Sequence, residues 1–434
     1  MIRTVAALAF ALAAALTVAL GPLAAPARGE EAGEIAGMIL RAIALACEDA
    51  SGDAGAMAKA LSGGAEVETA RPLTMNGVDF GWRRRFALAA GGRLTVTRIA
   101  IAGAMRRIEA QYDRATSGGP RPDTVALAGP DCAVRVARRM VYGDDGRAEA
   151  IVELDALLAE TDRRAPIDPP VPAGTDPGGV TVALIDSGVN YRLPAIARAL
   201  ARDAGGAILG YDYWDMDPRP FDANPARSPF FPQRHGTRVA SVLLREGGAI
   251  RLIPYRYPRP DPTRWRALID DAAAKGARIV VMAMGSNRAE PWADFVAAVK
   301  THPDVLFIVS AGNDGRDLDR RPVYPAAFNL DNMIAVGSAD PLGAPAPGSN
   351  WGSRTVDLLV PGEGIAVIDF AGRPARASGS SFAVPRLGAL AARLLARNPS
   401  WDATRLKAAI FSRARMTDAG GPPTSRYGFL DPGG

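Results

Sequence analysis

The sequence predicts an α/β protein. A mostly parallel sheet with helices on both faces is expected over residues 180–434, preceded by a small α+β domain with an antiparallel sheet over residues 28–160. Three observations carry this. After residue 180, short apolar runs alternate with segments of helical periodicity, the pattern of strand–helix–strand units. Before residue 160, an Asp-Gly turn separates two strand-like runs, which is a hairpin signal. Between the two, residues 161–179 carry Pro166, Pro169, Pro170, Pro172 and Pro177 and few apolar residues, as a semi-extended linker does.

The chain opens with Arg3 and an Ala- and Leu-rich stretch over residues 5–23, interrupted mainly by Thr17, Gly21 and Pro22. Ala25-Pro26-Ala27 supplies small residues for cleavage. Residues 1–27 therefore read as a signal peptide, and the protein is expected to be exported, periplasmic or secreted. The stretch is nearly long enough to span a bilayer, so a retained anchor is the other reading, and membrane contact is expected only in that case. No later segment has about 18 uninterrupted apolar residues.

Residues 34–61 have helical spacing, with Ile35, Met38, Ile39, Ile43 and Ala46 on one face. Leu94-Thr95-Val96-Thr97 then alternates, and so does Val134-Arg135-Val136. Tyr142-Gly143-Asp144-Asp145-Gly146-Arg147 is the hairpin turn, and residues 148–154 form its second strand. The two cysteines, Cys47 and Cys132, both fall in this part. In an exported chain an even pair suggests one disulfide, closing a loop of about 85 residues; two free buried thiols are the alternative. Arg163-Arg164 offers a dibasic processing site in the linker, and an uncleaved linker is the competing reading. The first domain is either a prodomain, able to inhibit the rest of the chain intramolecularly, or a permanent accessory domain.

Beyond the linker, Val180-Thr181-Val182-Ala183-Leu184-Ile185 reads as a buried strand. Ile279-Val280-Val281-Met282, Val305-Leu306-Phe307-Ile308-Val309 and Met333-Ile334-Ala335-Val336 read the same way. Residues 265–275 and 292–300 have helical periodicity. Chemistry in such sheets sits at the carboxyl ends of the strands. Asp186 directly follows the first strand, and Asn313 follows another within a few residues.

With 434 residues the chain is long enough for two or three domains. Its formal charge of +5 is small for that length, and no basic run exceeds Arg83-Arg84-Arg85, which argues against a nucleic-acid partner. Asp212, Asp215, Asp217 and Asp222 crowd one stretch. Their spacing matches no calcium loop, so the reading is a solvated acidic loop, and neither metal nor cofactor is expected.

A serine hydroxyl becomes a useful nucleophile when a neutral imidazole takes its proton. A buried carboxylate must hold that imidazole, and preorganised donors must meet the oxyanion. The chain offers Asp186 in Ile185-Asp186-Ser187-Gly188-Val189 and His235 in His235-Gly236-Thr237-Arg238-Val239-Ala240. It offers Asn313 in Ser310-Ala311-Gly312-Asn313-Asp314-Gly315, and Ser378, Ser380 and Ser381 close together near Gly379-Ser380-Ser381-Phe382-Ala383-Val384-Pro385. The only other histidine, His302, sits in Thr301-His302-Pro303, a loop or helix end. Spacing alone supports a Ser-His-Asp hydrolase.

In these motifs and their order, residues 180–432 resemble the subtilisin-like serine peptidases, the subtilases. The resemblance implies the three-layer subtilisin-like fold. Alignment on Gly379 and Pro385 selects Ser381 as nucleophile. His235 is implied to be general base and then general acid, Asp186 its orienting carboxylate, and Asn313 the oxyanion-hole amide. Ala283, Met284, Gly285 and Gly312 correspond to substrate-binding positions. Val360-Pro361-Gly362-Glu363-Gly364-Ile365 resembles the segment before the nucleophile, and Tyr427-Gly428-Phe429-Leu430-Asp431 resembles the domain's close, so no further C-terminal domain is expected. Three positions depart from the pattern: Ser380 stands for Thr, Arg234 for Gly, and Ala283 for Ser. The implied function is an exported serine endopeptidase acting on protein or peptide substrates through an acyl-enzyme. A catalytically silent peptide-binding module and an esterase or amidase using the same triad are the alternatives.

Overall fold

The computed structural model describes residues 28–61, 64–89, 91–259, 261–416 and 423–433. The expected signal peptide lies outside these residues. The chain divides into two compact units. The first comprises residues up to 137 together with 154–160, and the second comprises 138–153 and everything from 161 onward.

In the first unit, helix α1 (Arg28–Glu48) buries the face its periodicity marks: Ile35, Met38, Ile39, Ile43 and Ala46. The expected helix over 34–61 is two helices. The Asp49 carboxylate accepts the N–H groups of Ser51 (2.8 Å) and Asp53 (2.9 Å), which stops α1. Asp53 then caps α2 (Ala54–Ala60) by accepting from Gly55 and Ala56. Short carboxylates compete for backbone donors and favour such breaks. Strands β1 (Ala65–Met75), β2 (Val78–Leu88), β3 (Arg93–Ile101), β4 (Ala104–Arg114) and β5 (Arg121–Ala128) pair antiparallel in sequence order. Phe86, Leu94, Val96, Ile108, Ala110 and Ala126 are among their fully buried residues. Cys47 and Cys132 form a disulfide with Cα atoms 6.1 Å apart, tying the end of α1 to the loop after β5.

Strands β6 (Val134–Tyr142), β7 (Ala148–Leu154) and β8 (Glu160–Pro166) follow in the chain. Strand β8 takes the first residues of the stretch expected to be linker. The rest of that stretch is held on the second unit. Tyr191 donates its hydroxyl to the Pro169 carbonyl, Arg202 Nη2 donates to the Pro172 carbonyl (2.8 Å), and the Asp176 carboxylate accepts from Arg251 Nε (2.7 Å).

From Val180 onward the second unit is a parallel sheet between two helical layers. Its strands are β9 (Val180–Asp186), β10 (Tyr211–Asp212), β11 (Ile250–Arg256), β12 (Ile279–Met282), β13 (Leu306–Ser310), β14 (Met333–Ala339) and β15 (Leu358–Pro361), in the order β10-β11-β9-β12-β13-β14-β15. All the neighbouring pairs run parallel. Strand side chains alternate between faces. Val182 and Leu184 of β9 join a core with α3 (Pro194–Ala197), α4 (Gly236–Gly247) and α7 (Ser380–Arg397), while Ala183 and Ile185 join one with α5 (Arg264–Ala274) and α6 (Ala293–Thr301). This is the three-layer arrangement that the resemblance implies.

Candidate active site

Asp186 is the last residue of β9 and is buried. Both its oxygens reach Nδ1 of His235, at 2.8 and 2.9 Å. His235 immediately precedes α4 and keeps about a third of its side chain exposed (34%), open enough to meet a substrate. Burial disfavours the charged imidazolium. The Asp186 carboxylate, by charge and hydrogen bond, outweighs that and raises the His235 pKa above its ordinary value.

The start of α4 is anchored by Asp222, which the sequence places in a solvated acidic loop. Asp222 is fully buried. Its oxygens accept from the Thr237 N–H (2.9 Å), the Thr237 hydroxyl (2.5 Å), the Ser187 hydroxyl (2.6 Å) and the His235 N–H (3.2 Å). Ser187 Oγ in turn accepts from the Gly236 N–H at 3.0 Å. The unsatisfied amides of a helix start favour such a negative charge. Gly236 has no room for a side chain, since a Cβ there would lie 2.0 Å from the Gly188 carbonyl oxygen. Asp222 therefore fixes the backbone that carries His235.

The acidic stretch is thus not a solvated loop. Asp212, Asp217 and Asp222 are buried, and only Asp215 is largely exposed. Arg256 pairs with Asp212 (2.8 Å) and with Asp215, while Arg147 (2.6 Å) and Arg219 (3.3 Å) pair with Asp217. Arg147 and Arg256 come from distant parts of the chain, which local composition does not reveal. Burial, opposed by the Arg256 guanidinium, leaves the Asp212 pKa at about 6. Arg234, standing where the family usually has Gly, donates to the Asp222 carbonyl, and its guanidinium lies 4.1 Å from the Phe370 ring centroid.

Ser381 lies in the first turn of α7, where backbone N–H groups lack intrahelical acceptors. Its hydroxyl faces the Ala283 carbonyl at 3.4 Å, and the His235 ring is 6.0 Å, centroid to centroid, from neighbouring Phe382. Gly379, just before the helix, has φ of +119°, a conformation that favours glycine. Of the other two serines, Ser378 accepts from the Gly364 N–H and Ser380 is buried.

Asn313 lies three residues beyond β13. Its Oδ1 accepts from the Ser380 N–H (2.8 Å) and the Ser380 hydroxyl (2.9 Å). Ser380 Oγ meets Ser310 Oγ at 2.7 Å, and Ser310 Oγ accepts from the Gly312 N–H at 3.1 Å. Buried Asn350 braces the same loop, donating to the Ala311 carbonyl and accepting from the N–H groups of Asp314 and Arg316. Ser310 and Asn350 were missed in the sequence because nothing local marks them.

Ala283, Met284 and Gly285 follow β12 and line a cleft of about 990 Å³ with Asp186 and His235. Gly312 lies outside that lining, in the Asn313 loop with φ of +93°. The structure thus gathers Asp186, His235 and the Ser381 turn at the carboxyl edge of the sheet, with the Asn313 amide held against the residue before Ser381.

A buried carboxylate holding an imidazole at one helix start, with Ser381 in the first turn of another, is the placement that the sequence motifs predict. The Subtilase family model matches residues 178–429, and the chain belongs to that family. It is 29% identical over 298 residues to alkaline serine exoprotease A of Vibrio alginolyticus, covering 65% of this chain and 51% of that protein. It is also 29% identical over 230 residues to a thermophilic serine proteinase of Bacillus sp. (strain AK1), covering 50% and 52% respectively. The chain spans about half the length of these curated relatives. A crystal structure of a cold-adapted subtilisin-like serine proteinase matches 62% of this chain and 93% of that one, with 25% identity and a TM-score of 0.48.

Proposed function

We propose that this protein is an exported serine endopeptidase. Ser381 attacks the scissile carbonyl and His235 takes its proton. Asp186 stabilises the imidazolium that forms. The oxyanion is met by the Asn313 side-chain amide and the Ser381 N–H. His235 then protonates the leaving amine, and water resolves the acyl-enzyme by the same route in reverse. The observation that carries the reading is the two-point contact of the buried Asp186 carboxylate with Nδ1 of His235, which leaves Nε2 as the atom to accept a proton. Substrates are proteins or peptides, held along Ala283, Met284 and Gly285.

Export rests on residues 1–27 of the sequence and on the disulfide, which persists in oxidising compartments. Among the described residues no helix is long and apolar enough to cross a membrane. The dibasic pair lies inside β8, with Arg163 facing Glu153 (3.4 Å) and Arg164 facing Glu149 (3.9 Å), which supports an uncleaved stretch and an accessory rather than removable first domain. N-terminal sequencing of the exported protein tests this. A start near residue 28 agrees with it, and a start near residue 179 contradicts it.

Incubation with an unstructured protein substrate, with product masses read out, tests the activity. Internal peptide-bond cleavage is expected. Turnover of simple esters without any peptide cleavage would assign the site to an esterase.

A further inference from the structure

The cleft beside His235 is cationic. Arg234, Arg238, Arg259 and Arg288 line it, and among its described lining residues the only carboxylate is Asp186, which is committed to His235. Arg238 and Arg259 are exposed, and among the described residues neither forms an ion pair. The Arg288 guanidinium faces Glu290 at 3.4 Å, with both side chains about three-quarters exposed, so that pair is open to competition. Arg234 is a fixed cation, held by the Asp222 carbonyl and the Phe370 ring. The bases come from three places in the chain: residues 234–238 around His235, the segment after β11 and the segment after β12. The chain as a whole carries only +5, so the cleft concentrates charge that the rest of the molecule balances.

We propose that the cleft selects acidic peptide segments, with Asp or Glu side chains near the scissile bond meeting Arg238 and Arg259. This rests on the peptidase reading above and names its substrate class. Guanidinium groups bind carboxylates through paired N–H donors. A cleft of one sign also draws oppositely charged ligands in from solution. Each exposed pair contributes little, so selectivity comes from several acting together and weakens with salt.

The test uses the full chain and a neutral peptide series in which one position at a time, within four residues of the cut on either side, is Asp, Ala or Lys. At low ionic strength kcat/KM is expected to favour Asp over Lys by about tenfold at one or more positions, falling to about twofold in 0.5 M salt. The double variant Arg238→Glu, Arg259→Glu is expected to lower that Asp-to-Lys ratio at least about fivefold or invert it, a change that a general loss of folding does not produce. Equal cleavage of Asp, Ala and Lys peptides overturns the inference and leaves the peptidase reading standing. A ratio unchanged in the double variant overturns it as well. Failure to cut any peptide overturns the peptidase reading, and the inference with it.

Discussion

The backbone N–H and the hydroxyl of Ser380 both donate to Oδ1 of Asn313, at 2.8 and 2.9 Å. A backbone N–H can only donate, so the atom it meets must be the amide oxygen, and the Asn313 NH₂ faces the other way. The hydroxyls then have one consistent direction. The Gly312 N–H donates to Ser310, Ser310 donates to Ser380, and Ser380 donates to Asn313. Ser380→Ala should therefore lower kcat roughly three- to tenfold with little change in KM, because one neutral hydrogen bond orienting the donor is lost. Ser380→Thr should retain activity, and Ser310→Ala should have a smaller effect of the same kind. Asn313→Ala should cost about 10²–10³ in kcat. Steady-state kinetics on one peptide checks the series.

The pH profile carries a signed expectation. In the proposed mechanism His235 acts as base only when neutral, and Asp186 raises its pKa against the opposing effect of burial. Activity is therefore lost as pH falls through a value above the ordinary 6.5, and kcat/KM at pH 6.5 should already be below half its plateau. Asp186→Asn removes the stabilising charge, so its acid limb should move to lower pH, on a much reduced rate. A wild-type limb centred below 6.5 would contradict the assignment.

Asp222 should matter as much for stability as for rate. Its two oxygens serve four donors in a fully buried site. Asp222→Asn sets an NH₂ against N–H and O–H donors and leaves buried groups unpaired, at a cost of about 3 kcal/mol. Denaturant unfolding should show that loss, and kcat/KM should fall because the His235 backbone is released.

The disulfide closes a loop long enough to restrict the unfolded chain strongly. With Cys47 and Cys132 separated by 85 residues, reduction should destabilise the first unit by about 4–5 kcal/mol. Unfolding curves of the full chain with and without reductant would show this, and coincident curves would contradict it.

Much of this was legible in the sequence where the signal is local. The α1 face from Ile35 to Ala46 is buried as its periodicity indicates, and the apolar runs of β9, β12, β13 and β14 are strands. Strand β11 was missed because Arg251, Pro254 and Arg256 interrupt its apolar run, although the parallel neighbour β9 covers it. Asp222 looked like one of several solvated acids. It is buried because Ser187 and Thr237, 35 and 15 residues away, bring donors to it. The Ser310–Ser380 contact spans 70 residues and exists only once β13 and α7 are packed together.

The central claim is that Ser381 is the nucleophile activated by His235. The direct measurement is covalent labelling of the folded protein with a fluorophosphonate probe, followed by mass mapping of the modified residue. The account predicts one label on Ser381, absent in Ser381→Ala and strongly slowed in His235→Ala. No labelling of the folded wild-type protein, or labelling that persists in Ser381→Ala, would contradict it.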